Sequence, residues 1–511
     1  MNTQNDVSGM AKTVQQEPAL MTPAQASNHV TTTDPRFALT DEIIRGVPYR
    51  VFSNAPPNLR ALLQQAEATY GDRDVMVFQG ERWNYPQFCS EVCRLAQGMH
   101  SKFGIGQGDR VALAMRNYPE LPILILAVTA LGATVVPLNS WGSEEELTFA
   151  LEDSEARLAF ADGPRFERLK NPAAQRSIPL LGVRETDTGN GYRDLLAAAA
   201  SADWPQVAIA PDDDFAVLYS SGSTGKPKGV VLTHRGAITT LYSWAVGRTM
   251  APLVTGDPVD PDAPQPSFLV VTPLFHVTAL HAIFLQGIHM GARLTLMYKW
   301  DPEEAIRLIK AENITRFVGV PTQTADLMEA ARRLNEPLES LVSVGSGGAK
   351  RPAAQVSELA DTFPQAIISS GWGMTETNSL GIIASGPDYV DNPESAGTPT
   401  PPVQEIQIVD ERGRPLPAGQ VGELIVKSPA NMRCYLNQPE ATADALRDGW
   451  LYTGDLAKIN EDGLVFIVDR KKTLIIRGGE NIACLEVEGA LHRHPDIIEA
   501  CVFPVPDARL G

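Results

Sequence analysis

The run Tyr219–Gly229, Tyr-Ser-Ser-Gly-Ser-Thr-Gly-Lys-Pro-Lys-Gly, packs three glycines, four hydroxyls and two lysines into eleven residues. Such a stretch can hold phosphate: glycines let the backbone N–H groups approach an oxyanion, hydroxyls donate to it and lysine offers a point charge. It is not the familiar P-loop, which needs Gly, four residues, then Gly-Lys-Ser/Thr. Only two residues separate Gly222 from Gly225, and Pro227 follows Lys226. The segment before it, Asp-Asp-Asp-Phe-Ala-Val-Leu-Tyr-Ser, reads as a strand, so the loop opens where a sheet strand ends. Pro227 obstructs a helix, and the β-branched run Gly229–His234 reads as a second strand. The expectation is a hairpin in which Ser220, Ser221, Ser223, Thr224 and the glycine backbone wrap phosphate oxygens, with Lys228 as the charge.

A chain of 511 residues can bury a large core and divide into domains. With 43% hydrophobic and 20% charged residues, its composition is that of a globular enzyme. The 43 basic against 61 acidic residues give a net charge of −18, which argues against a nucleic-acid footprint. Cys89, Cys93, Cys434, Cys484 and Cys501 lack zinc spacing and read as reduced structural thiols of a cytoplasmic protein. The N-terminus lacks a basic-then-apolar signal layout. The apolar run Leu121–Leu138 is interrupted by Pro122, Gly132 and Pro137, and reads as a core helix followed by a buried strand rather than a membrane span.

Behind the loop stand the elements that must position it. Residues 1–45 are polar and aperiodic and are expected to form a mobile leader. Apolar strands then alternate with amphipathic helices, as in Arg110–Asn117, the helix from Glu120, the strand from Thr134 and the helix from Glu144. The rhythm resumes after Phe215. Strands and helices at this spacing mean an α/β fold with a parallel sheet. Near Ala396 the texture changes to Pro/Gly clusters and short strands, which suggests a small antiparallel β unit. The basic stretch Asp469–Thr473 then precedes a strand, a Gly pair, a helix and a last strand. Residues 46–470 are taken as one large domain, and 471–511 as a hinge and an incomplete C-terminal domain.

The loop resembles the phosphate loop of the adenylate-forming superfamily, which includes acyl- and aryl-CoA ligases, peptide-synthetase adenylation domains and firefly luciferase. Further motifs follow in that family's order. Gly-Trp-Gly-Met-Thr-Glu at 371–376 is similar to its Tyr-Gly-x-Thr-Glu motif, with Trp372 where Tyr is usual. Tyr452–Asp455 resembles its ribose-binding motif and Asp469–Thr473 its hinge; Gly347–Ala349 and Phe275–His276 match as well. The resemblance runs from about residue 50 to the end. It implies a large N-terminal domain of two doubly wound sheet subdomains plus a small β-barrel-like unit, followed by a partial α+β C-terminal domain.

It also implies roles. A carboxylate is joined to the α-phosphorus of ATP, pyrophosphate leaves, and the acyl group passes to a thiol, so ATP, Mg²⁺ and coenzyme A are the expected cofactors. Thr375 donates to an α-phosphate oxygen, and Glu376 is a hard oxygen ligand for Mg²⁺. Gly371, Trp372 and Gly373 with Gly347, Gly348 and Ala349 take the adenine; Asp455 and Arg470 take the ribose. His276 lies between acid and nucleotide. Gly478 and Gly479 help form the pantetheine channel, and Lys472 is the hinge. The implied acid pocket is lined by His276, Val277, Leu280, Val320 and Gly345, small or apolar residues that suit an alkyl or aryl tail. His276 stands where amino-acid-activating relatives place an Asp, which disfavours an amino acid substrate. The resemblance points to an acyl-CoA ligase for a medium- or long-chain fatty acid or a hydrophobic aryl acid. The alternatives are a ligase loading a carrier protein, or a nucleotide-binding protein without turnover, because no downstream Gly-Lys motif provides the family's C-terminal lysine. The expected partners are the acid, ATP and CoA, with no nucleic acid and no transmembrane segment; a homo-oligomer is left open.

Overall fold

The computed structural model describes residues 20–184, 191–220, 227–258, 260–471, 475–477, 480–482, 484–491, 494, 497, 500–503 and 505. Three larger sheets organise these residues. The first has seven strands, ordered Cys434–Tyr435, Lys228–Thr233, Asp214–Ser220, Thr134–Pro137, Arg110–Ala114, Leu158–Asp162 and Leu180–Val183. Its five last-named strands run parallel, whereas Lys228–Thr233 returns antiparallel to Asp214–Ser220 with Lys228 opposite Ser220. The expected hairpin is therefore present, although loop residues 221–226 lie outside the described ones.

The second sheet has nine strands. Ile367–Trp372, Ser343–Gly347, Arg316–Gly319, Ser267–Val270, Arg293–Leu296 and Asp74–Phe78 form its parallel middle. Antiparallel strands close both of its edges. Parallel strands need cover on both faces, which is why the helices between them carry apolar stripes. Ten of the eleven residues of the helix Glu120–Ala130 are buried, as expected of a helix apolar all round, and the strand Thr134–Pro137 after it is wholly buried. The largest core cluster joins both sheets through this helix and His234–Thr255. No described helix is long and apolar enough to cross a membrane.

The third sheet has five antiparallel strands, including Glu405–Val409, Gly422–Lys427, Trp450–Ile459 and Val465–Arg470; it is the small β unit expected after Ala396. At its end Asp469 Oδ2 accepts the N–H of Cys484 and so caps the helix Cys484–Leu491. Ahead of that helix Ile475–Arg477 and Glu480–Ile482 form a two-stranded ladder.

Two expectations need correction. The leader does not stay aperiodic to residue 45: Thr22 and Gln25 form a capping box for the helix Pro23–Thr33. Ala26 and Val30, one turn apart, are buried there, and Met21 N donates to Leu253 O of the helix His234–Thr255. Leu39–Ile44 then pairs with Val47–Phe52. A lone i, i+4 apolar pair in a Thr/Asn-rich run leaves almost no periodic signal. The last expected strand is also missing, since residues 500–503 form no ladder. Val502 N donates instead to Glu488 Oε1 of the preceding helix.

Candidate active site

Strand ends from both large sheets converge on one cleft of about 450 Å³. Ser220 and Asn139 come from the seven-stranded sheet; Val320, Gly348 and Gly373 come from the nine-stranded one. Ligands of parallel α/β sheets bind at such carboxyl ends. Pro227, Phe275, His276, Val277, Thr278, Thr375, Glu376 and Arg470 complete much of the wall.

Thr375 and Glu376 sit on a single 3-10 turn, Thr375–Thr377, directly after the strand Ile367–Trp372. Gly373 makes that turn practicable, because a Cβ there would lie 2.7 Å from the carbonyl oxygen of Ser379. The Glu376 carboxylate is buried at the floor, 7% exposed. Tyr435 Oη donates to Glu376 Oε1 at 2.9 Å, and Glu376 O accepts the N–H of Met432 at 2.7 Å. Burial, with Glu376 beside it, pushes the Tyr435 phenol well above its usual range, so it stays protonated and donates. Lys228 Nζ lies 4.6 Å from the centroid of the same ring. One tyrosine thus bridges the acidic turn and the cation of the hairpin.

Asp455, on Trp450–Ile459, is 4% exposed. Its Oδ2 accepts from Trp372 Nε1 at 2.9 Å, and its Oδ1 pairs with Arg470 Nε at 3.2 Å. Burial raises its pKa, while the Trp372 hydrogen bond and the Arg470 charge hold it down. The tryptophan that replaces the usual tyrosine therefore has a polar task through its indole N–H. His276 is the N-cap residue of the short helix Val277–Ala279. Its ring packs on Phe275, centroids 4.3 Å apart. It opens on the cleft, yet the surrounding walls lower its pKa, which keeps it neutral at pH 7.

Of the residues singled out from sequence, Ser220, His276, Val277, Val320, Gly348, Gly373, Thr375, Glu376 and Arg470 line the cleft. Trp372 and Asp455 adjoin the lining residues Gly373 and Arg470 through the chain and an ion pair. Gly347 and Ala349 flank Gly348, and Gly371 precedes Trp372 and pairs with Gly347 across the sheet. Leu280 does not line it: the side chain is fully buried in the main core. Gly345 is buried within Ser343–Gly347, where a Cβ would meet Ser369 Oγ at 3.1 Å. Ser221, Gly222, Ser223, Thr224 and Gly225 of the loop, the hinge residue Lys472, and Gly478 and Gly479 lie outside the described residues. Tyr435 escaped the sequence reading, because it lies 59 residues beyond Glu376 and no local pattern marks it.

Among the described residues no cluster of three His, Cys, Asp or Glu could hold a metal by itself. A single buried carboxylate facing a polar cleft nevertheless fits Mg²⁺, which binds through one or two carboxylates together with substrate phosphates and water.

Two sheets with a joint cleft at their carboxyl ends, a phosphate-type hairpin, an acidic turn and a buried Asp455 paired with an exposed Arg470 define a nucleotide-using acid-activating enzyme. The chain belongs to the AMP-binding enzyme family, whose model matches residues 63–436. It is 33% identical over 447 residues to 4-coumarate–CoA ligase 3 of Oryza sativa subsp. japonica, covering 84% of this chain and 77% of that one. It is 34% identical over 436 residues to a feruloyl-CoA synthase of Amycolatopsis sp, covering 84% and 82%. Among solved structures, a Mycobacterium tuberculosis fatty acyl CoA synthetase matches with TM-score 0.74 and 27% identity, over 89% of this chain and 86% of that one. ATP-bound MatB from Rhodopseudomonas palustris matches with TM-score 0.78 and 26% identity, over 89% and 87%. The chain is an acid–thiol ligase that works through an acyl-adenylate and uses ATP, Mg²⁺ and CoA.

Proposed function

We propose that this ligase activates a hydrophobic carboxylic acid of compact, aryl type, and that the cleft residues divide the work as follows. The hairpin from Ser220 to Lys228 holds the departing phosphates. Thr375 donates to the α-phosphate, where negative charge builds as the carboxylate attacks and pyrophosphate leaves; a fixed donor aimed at developing charge is the largest lever such a site has. Glu376 would hold Mg²⁺, which when bound would neutralise phosphate charge. Asp455 accepts the ribose hydroxyls, oriented by Trp372 and Arg470. Neutral His276 separates the acid from the nucleotide and adds no cation to compete with Lys228. In the second half-reaction the CoA thiol attacks the acyl carbon and AMP departs.

The observation that carries the substrate reading is the acid end of the cleft. Phe275, Val277 and Val320 give it apolar walls, while Leu280, expected beside a long acyl tunnel, is packed into the core at 0% exposure. A flat ring fits against such walls; an extended chain needs space that Leu280 fills. The names of the hydroxycinnamate-type relatives support the same reading. The second reading, a medium- or long-chain fatty acid, draws support from the likeness to the fatty acyl CoA synthetase. Acid-dependent pyrophosphate release with a panel of 4-coumarate, ferulate, octanoate and palmitate, with and without CoA, decides between them. The aryl acids should give the highest kcat/KM, with CoA completing turnover; palmitate preferred over both aryl acids would overturn the reading.

A further inference from the structure

Directly beneath the acidic turn lies a polar cluster that the reaction as described does not use. His281 and Asn378 are both fully buried. His281 belongs to a π-helical stretch, Leu280–Leu285, a local distortion of the kind found at functional sites. Its Nε2 is 2.9 Å from Asn378 Oδ1, and Asn378 Nδ2 donates to Ala430 O at 2.6 Å. The second bond fixes the direction of the first: with the amide nitrogen committed to Ala430, the oxygen faces the imidazole, so Nε2 carries the hydrogen and donates.

Asn378 caps the turn that carries Thr375 and Glu376. Its N–H donates to Thr375 O at 3.1 Å, and its φ of 52° lies in the left-handed region that Asn tolerates better than most residues. The amide also seats the start of the helix that follows the phosphate hairpin. A Cβ on Gly236 would lie 2.4 Å from Asn378 Nδ2, so only glycine lets the helix approach this closely. The edge of the His281 ring meets Phe215, centroids 5.7 Å apart, on the strand that leads into the phosphate hairpin. Past Ala430, Met432 N holds Glu376 O, and Tyr435 holds the carboxylate.

We infer that His281 and Asn378 are positioning residues: the His281–Asn378–Ala430 bridge fixes the Thr375–Glu376 turn against both ends of the phosphate hairpin and so aims Glu376 at the metal–nucleotide. The inference rests on the role proposed for Glu376. A buried donor that merely stabilised the fold could have been any group filling the volume. A chain of two directional bonds that runs from His281 through Asn378, the cap of the acidic turn, to Ala430 on the segment bearing Tyr435 selects one orientation of that turn. Partners behind a ligating group act in this way, and their loss costs roughly 10- to 100-fold in metal affinity or activity.

The test uses the full chain and three variants. His281→Phe keeps the ring volume and the Phe215 contact but removes the donor. His281→Gln places an amide N–H near the Nε2 position. Asn378→Gly keeps the left-handed backbone and deletes the amide. The first readout is calorimetric titration with ATP in the presence of Mg²⁺ and again in EDTA, without acid. The second is acid-dependent ATP–pyrophosphate exchange, resolved into kcat and acid KM. His281→Phe and Asn378→Gly should lose roughly tenfold or more of the affinity gain that Mg²⁺ gives ATP. Metal-free ATP binding and acid KM should stay unchanged, exchange kcat should fall, and His281→Gln should recover most of both losses. Should His281→Phe fail to fold, Asn378→Gly carries the test. Folded variants with the parental Mg²⁺ gain overturn the inference, and so does a His281→Gln no better than His281→Phe, which would reduce the residue to a space filler. Glu376→Gln, measured alongside, isolates the other failure: if it keeps the Mg²⁺ gain, the role given to Glu376 falls, and this inference with it.

Discussion

At the scale of single residues, the site separates charges that must stay ionised from donors that must stay protonated. Tyr435 remains a phenol because burial raises its pKa, so Glu376 keeps a neutral donor on Oε1. Tyr435→Phe removes one hydrogen bond to a charged group, worth about 1.5–3 kcal/mol. Exchange activity should drop by roughly tenfold or more, since 1.4 kcal/mol is a factor of ten; an unchanged rate would detach Tyr435 from the site. Asp455 gives a pH signature. Burial raises its carboxyl pKa, and the Trp372 N–H opposes that rise by stabilising the ionised form. Trp372→Phe removes the opposing bond, so the pKa moves further up and the acid limb of the exchange–pH profile should shift to higher pH. A limb that stays in place or moves to lower pH would show that the ionisation seen in the profile is not that of Asp455.

At the scale of elements, the legible and the illegible parts of the sequence separate by physical cause. The parallel strands could be read because both faces are buried, which leaves continuous apolar runs such as Val135–Val136 or Phe215–Leu218 bounded by Gly, Asp and Pro. The hairpin could be read because Pro227 and a β-branched run exclude a helix. The helix Pro23–Thr33 could not, since its buried face is two residues wide and its caps, Thr22 and Asp34, are residue types that loops share. Leu280 keeps a regular i→i−4 bond to His276, so its misplacement comes from packing: the face it presents is taken up by the main core, which position along the chain does not reveal. The docked leader helix is testable. Val30 is 2% exposed against the helix His234–Thr255, so Val30→Asp buries an unpaired carboxylate at a cost of roughly 2 kcal/mol or more. The urea midpoint should fall; a midpoint equal to that of the parent would mean that this helix is not docked in solution.

At the scale of the whole molecule, the two large sheets share one core, and that core holds histidines that must remain neutral. Burial lowers His234 to about 3 and His281 to about 4. Because the folded pKa lies below the unfolded value near 6.5, the folded state binds fewer protons. The stability from these residues is complete above about pH 6.5 and is lost as pH falls toward 4. Between pH 6.5 and 5 each should cost roughly 2 kcal/mol, from about 1.4 kcal/mol per pH unit. Urea titrations at pH 7 and pH 5 should show that drop, and equal stabilities would mean that the two imidazoles are not held neutral. The same shared core is why so much of the site could be foreseen in pieces but not in assembly. The strand ends carrying Ser220, Gly348 and Thr375 are each visible in the sequence, whereas the meeting of Tyr435 with Glu376, or of Trp372 with Asp455, exists only once the sheets have packed.

The measurement that bears most directly on the account is acid-dependent ATP–pyrophosphate exchange by the full-length protein, parent beside Glu376→Gln, with both shown to be folded. The cleft should support exchange that requires a hydrophobic acid, and loss of the carboxylate charge should lower the rate by about 10²–10³-fold, the usual cost of one preorganised electrostatic contact. Parent protein that binds ATP but exchanges no pyrophosphate with any acid, or a Glu376→Gln variant as fast as the parent, would contradict it.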